Sequence, residues 1–121
     1  MPGAQAGSLV LAIVMGLAGG TCLAQGVPPP GAQVSADCAA PVYATDLLVC
    51  SDATLRALDA QMLRFWVMAE ARHGLDDSER AAQVEWFRNR SLCAFDANHR
   101  GCVVAAYHSR ITALLALLDA D

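Results

Sequence analysis

The stretch SDATLRALDAQMLRFWVMAEARHG, residues 51–74, decides the fold. Leu55, Leu58, Met62, Phe65 and Ala69 recur in it at steps of three and four. That is the period of an α-helix that buries one face. Ser51 or Asp52 stands where an N-cap is wanted, and Gly74 stands where a helix stops. The segment therefore reads as one long amphipathic helix.

The reading extends to both sides. Asp76-Asp77-Ser78-Glu79 supplies a cap and first-turn acids for a second helix, whose inner stripe is Gln83, Trp86, Phe87 and Arg90. Gly74 to Asp77 is then a hairpin turn. From Cys102, the series Val103, Ala106, Tyr107, Arg110, Ile111, Leu114, Leu117 and Leu118 makes a third long helix to the C-terminus. Upstream, Pro41 fits the first turn of a short helix running to about Cys50, with Val42, Leu47 and Val49 or Cys50 partly buried. No segment alternates as a strand does. The expected fold is all-α: a small disulfide-stabilised bundle or hairpin of three main helices plus a short N-terminal one.

The first part of the chain reads differently. Ser8 to Ala18 is an apolar run too short to span a bilayer, which takes about 20 residues. Thr21-Cys22-Leu23-Ala24 follows it with small residues at the positions a signal peptidase prefers. Residues 1–24, which carry no charged side chain, are thus expected to be a signal peptide. Gly19-Gly20-Thr21 lacks the leucine-like residue usual before a lipidated cysteine, so no lipid anchor at Cys22 is expected. Residues 25–37 include three consecutive prolines and no helical period, the composition of a flexible linker that serves only as a spacer. Residues 38–121 remain as the helical domain. The net charge of −4 falls after residue 24, which argues against nucleic acid and suits a cationic protein partner.

Removing Cys22 with the signal leaves Cys38, Cys50, Cys93 and Cys102, an even set in a small exported domain and hence a disulfide framework. The local pairing, Cys38 with Cys50 and Cys93 with Cys102, closes two short loops and is favoured. The alternative joins Cys50 to Cys93 across the helical hairpin and leaves Cys38 for Cys102. The cysteine gaps and the scattered His73, His99 and His108 do not resemble a metal site, and no metal or cofactor is expected.

Four polar residues, Asp59, Gln83, Arg90 and Arg110, fall at or beside inward positions, where an unpaired charge is costly. They are expected to form a structural polar core, with Asp59 accepting from Arg110 or Arg90 and Gln83 bridging to backbone. Trp66, Trp86, Phe87 and Tyr107 read as core rather than as a recognition patch. His73 reads as a helix C-terminal residue favoured by the dipole, and His108 as a solvated or partly packed one. The loop AFDANHRG, residues 94–101, is the most irregular and polar segment, and it is bounded by two cysteines.

Taken together, the words Cys38, Asp46-Leu-Leu-Val-Cys50, Leu55, Leu58-Asp59, Gln83-x-x-Trp86-Phe87-x-x-Arg90-x-x-Cys93, Cys102 and Tyr107-x-x-Arg110-Ile111 resemble the LprI-like lysozyme-inhibitor family. The resemblance runs over residues 38–118. Asp46 stands where the family usually has glutamate, Trp66 where it has tyrosine, and Ser91 where an acid often follows the arginine. It implies a small, exported, all-helical domain, periplasmic or secreted, that binds lysozyme and protects peptidoglycan. The alternative partner is another envelope or extracellular protein. Asp96, Asn98, His99 and Arg100 of the cysteine-bounded loop are the candidate contact residues, and no activated nucleophile or paired catalytic acid points to an enzyme.

Overall fold

The computed structural model describes residues 33–120, together with Gly3. The expected signal peptide, Gly3 apart, and the linker up to residue 32 lie outside the described residues, as does Cys22. Four helices follow one another: α1 (Ala44–Ser51), α2 (Ala53–His73), α3 (Asp77–Ser91) and α4 (His99–Asp119), with a 3-10 turn at Leu92–Phe95 before α4. Among the described residues no strand occurs.

Each long helix is delimited by local chemistry. Asp52 caps α2 by accepting from the Leu55 N–H at 3.0 Å, and Gly74 ends it at φ +58°, a conformation glycine adopts without steric cost. Asp76 caps α3 through the Glu79 N–H at 2.9 Å, and Asn98 caps α4 through the Gly101 N–H at 3.0 Å. α2 packs most extensively on α4, while α1 and α3 lean on that pair. The shared core holds Leu55, Met62 and Trp66 of α2, Phe87 of α3, and Val103, Tyr107 and Leu114 of α4. α4 is long and apolar enough to cross a membrane by length and composition alone. Here it packs one face into the bundle, with Val103, Tyr107, Arg110, Ile111, Leu114 and Leu118 buried.

The stripes differ in detail from those expected. α2 is turned so that Asp59 and Trp66 are buried while Leu58 and Phe65 are only half-buried. Trp86 is half-buried too, because its indole N–H reaches out to the Ala106 carbonyl at 3.1 Å. α1 begins at Ala44 rather than at Pro41, and it buries Thr45, Asp46 and Val49. Val42 and Leu47, expected to be partly buried, are 54% and 59% exposed. The inner side of this short helix is taken by Asp46, which must face a buried arginine, and that choice turns Leu47 outward.

Both disulfides follow the local pairing, Cys38–Cys50 and Cys93–Cys102. The 3-10 turn carries Cys93 back onto the first turn of α4, where Cys102 meets it. Such bonds typically contribute about 2–4 kcal/mol each, a large share of the stability of a domain this size. The last residues of the expected linker are not a free spacer. Val34 and Ala36 pack against the core, held by polar contacts described next.

Candidate functional site

Two features of the molecule carry chemistry: a polar cluster inside the bundle and the disulfide-bounded turn on its surface. The cluster is built on Arg90 of α3, whose guanidinium pairs with the buried Asp46 of α1. The other Asp46 oxygen accepts the Val42 and Tyr43 N–H groups at 3.0 and 2.9 Å, so one carboxylate both starts α1 and neutralises α3. Arg90 also donates to the Tyr107 hydroxyl at 3.3 Å and lies over the Phe87 ring, 4.3 Å from its centroid. The Tyr107 hydroxyl donates in turn to Asp59 at 2.7 Å, and Asp59 accepts the Ala36 N–H at 3.2 Å.

Asp59 therefore does not pair directly with Arg90 or Arg110, as the sequence had implied, because Tyr107 stands between the charges and relays the contact. Burial pushes the Asp59 carboxyl above its ordinary value, and burial likewise pushes the Tyr107 hydroxyl up. Arg110 instead donates to Gln83 at 2.6 Å, and its own value is lowered by burial. Gln83 completes the set by donating to the Val34 carbonyl at 2.8 Å, the expected bridge to backbone. Asp46 and Tyr107 were not singled out as members of this cluster. The available signal was Asp46 inside the word Asp-Leu-Leu-Val-Cys, an acid in an otherwise apolar run.

The turn is more ordered than its polar sequence implies. His99 and Arg100 belong to α4, and Asp96 and Asn98 shape the entry to it. Asp96 accepts the Asn98 N–H at 2.7 Å, and Asn98 caps the helix. The cap requires glycine at position 101, where a Cβ would sit 2.7 Å from Asn98 Cγ and displace the capping side chain. His99 Nε2 lies 2.9 Å from the Thr45 hydroxyl, and Arg100 donates to Asp52 at 2.8 Å. That bond from Arg100 is the main reason the Asp52 carboxyl lies below its ordinary value.

So the four expected contact residues come together in one turn, but His99 and Arg100 spend their polar groups on α1 and the α2 cap. What the turn presents outward is apolar: Phe95 is 88% exposed and Leu92 is 60% exposed. The signal for Phe95 was its place as the one large apolar residue in AFDANHRG. Among the described residues no cluster of histidine, cysteine and acidic side chains has the makings of a metal site.

The chain matches no protein-family model, and no solved structure matches it. It is similar to the protein named Lipoprotein LprI in Mycobacterium bovis and in Mycobacterium tuberculosis, at 34% identity over 108 residues in each case. The alignment covers 89% of this chain and 54% of the relatives, so the chain spans about half their length. Two disulfides and relatives named as lipoproteins together mark an exported, envelope-associated protein. This similarity, with the helical architecture and the paired cysteines, supports an LprI-like family for the chain.

Proposed function

We propose that this chain is a lysozyme-binding inhibitor of the LprI-like type, periplasmic or secreted, that blocks its target by occupying it rather than by chemistry. The observation that carries the reading is the similarity to the LprI lipoproteins over most of the chain. The net charge of −4 supports it, since lysozymes are often cationic and opposite charge speeds encounter and excludes like-charged competitors. A binding role rather than an enzymatic one fits the buried carboxylates, because Asp46 is held by Arg90 and Asp59 by Tyr107 and backbone.

The contact is placed on the Cys93–Cys102 turn, with Phe95 as the anchor and Leu92 and Asp96 beside it. An exposed aromatic on a turn locked by a disulfide and a helix cap loses little freedom on binding, which is what makes a good anchor. The test is cell-wall hydrolysis by chicken-, invertebrate- and goose-type lysozymes, titrated with the oxidised chain and with the Phe95→Ala variant. Saturable inhibition weakened at least tenfold by Phe95→Ala supports the reading. Inhibition unchanged by Phe95→Ala moves the contact elsewhere. No inhibition of any type by the unaltered chain removes the inhibitor reading. It would favour a module for another envelope protein.

A further inference from the structure

α2 carries a second stripe, turned to solvent. Ala60, Leu63, Val67 and Met68 line an apolar groove along it, with Val67 54% exposed and Met68 52% exposed. Met68 also borders the neighbouring groove with Phe65 and Leu115, so the apolar surface continues from α2 to α4. Three exposed arginines, Arg56, Arg64 and Arg72, cross this stripe at intervals of eight residues, or about 12 Å along the axis.

The charge on this face is unusual for an acidic chain. Of the eight arginines, Arg80, Arg88, Arg90 and Arg100 each pair with a carboxylate, and Arg110 donates to Gln83. Among the described residues no ion pair is formed by Arg56, Arg64 or Arg72. The two acids of α2 are directed elsewhere: Asp59 is buried against Tyr107, and Glu70 pairs with Arg80. Asp119 lines the groove beside Arg72 without pairing to it.

The occupant must answer both the apolar side chains and the unpaired cations. A cationic protein would be repelled, and a second copy docked through the same face would set arginine against arginine. Residues 1–32 of the chain are uncharged and would leave the arginines unanswered. A soluble polyanion would leave Val67 and Met68 in water. An anionic bilayer satisfies both, with phosphates at the guanidinium groups and the apolar side chains at the acyl boundary. We propose that the outward face of α2 docks this domain flat on an anionic phospholipid surface, independently of the turn assigned to lysozyme.

The experiment is co-sedimentation of the oxidised full chain with vesicles of phosphatidylglycerol and phosphatidylcholine, and with phosphatidylcholine alone. Because residues 1–32 are common to every variant, their own affinity for lipid cancels in the comparison. The triple variant Arg56→Gln/Arg64→Gln/Arg72→Gln is expected to lose about a hundredfold in partitioning to the anionic vesicles, from roughly a factor of five per arginine near such a surface. Lysine at the same three positions restores binding, which separates a charge effect from a folding defect. Equal partitioning of the unaltered chain and the glutamine variant, equal affinity for neutral and anionic vesicles, or failure of lysine to restore binding each overturns the proposal.

Discussion

The two faces of α2 both carry apolar side chains and are opposite in role. The inward face presents Leu55, Asp59, Met62, Trp66 and Ala69 to the core, and the outward one presents Ala60, Val67 and Met68 to solvent between arginines. Apolar residues thus appear on both sides of one helix, and a buried acid appears on the side where none belongs. The contrast teaches that burial in this helix is chosen by what its partners offer, here the Tyr107 hydroxyl and the Ala36 N–H that accommodate Asp59. Hydrophobicity alone does not choose it.

The comparison breaks most sharply at the polar core. Arg90→Ala leaves Asp46 buried without its cation, and a loss of about 3–5 kcal/mol is expected in urea unfolding. A loss below about 1 kcal/mol would mean that Asp46 escapes to solvent, contrary to its burial. On the inward face, Leu55→Ala is expected to cost about 2–5 kcal/mol by the same measurement, whereas Val67→Ala on the outward face stays within about 0.5 kcal/mol of the unaltered chain. Equal effects at the two positions would erase the distinction between the faces.

Replacing Cys93 and Cys102 together by alanine is expected to cost about 2–4 kcal/mol, read as a fall in the midpoint of thermal unfolding. The Cys38/Cys50 pair, whose first member is exposed, sharpens the comparison if its removal costs less. The smallest effect concerns pH. Asp59 has its folded value raised above the usual 3.8, so its contribution to stability is full in acid and declines as pH rises through the raised value. Asp59→Asn removes that decline. The stability of the unaltered chain relative to Asp59→Asn should therefore fall on going upward from about pH 4, and a rise would reverse the assigned sign.

Much of this was legible in the order of residues. Caps and stops act over three or four positions, so Asp52, Gly74 and Asp76 could be placed without knowing the rest of the fold. The same locality made the short-loop disulfides the favoured pairing. The rotation of α2 was not legible, because Phe65 is as apolar as Trp66, and Leu58 gives way to an acid that only a distant partner can accommodate. Nor was the environment of Asp59, which depends on Tyr107, 48 positions away. The turn at residues 94–101 read as a polar loop because Asp96, Asn98, His99 and Arg100 are polar. Only their partners Thr45 and Asp52 show that two of them are tied back to α1 and the α2 cap, Arg100 while still exposed.

The chain by itself determined that there would be helices, where two of them begin, and which cysteines lie close enough to close short loops, since these are matters of neighbouring backbone groups and a 3.6-residue period. Tertiary structure decided which side of α2 is covered, which acid answers Arg90, and that Phe95 rather than His99 is offered outward. Those outcomes turn on pairing between groups far apart in sequence, where the cost of leaving a buried charge or hydroxyl unpartnered outweighs the small difference between one apolar side chain and another.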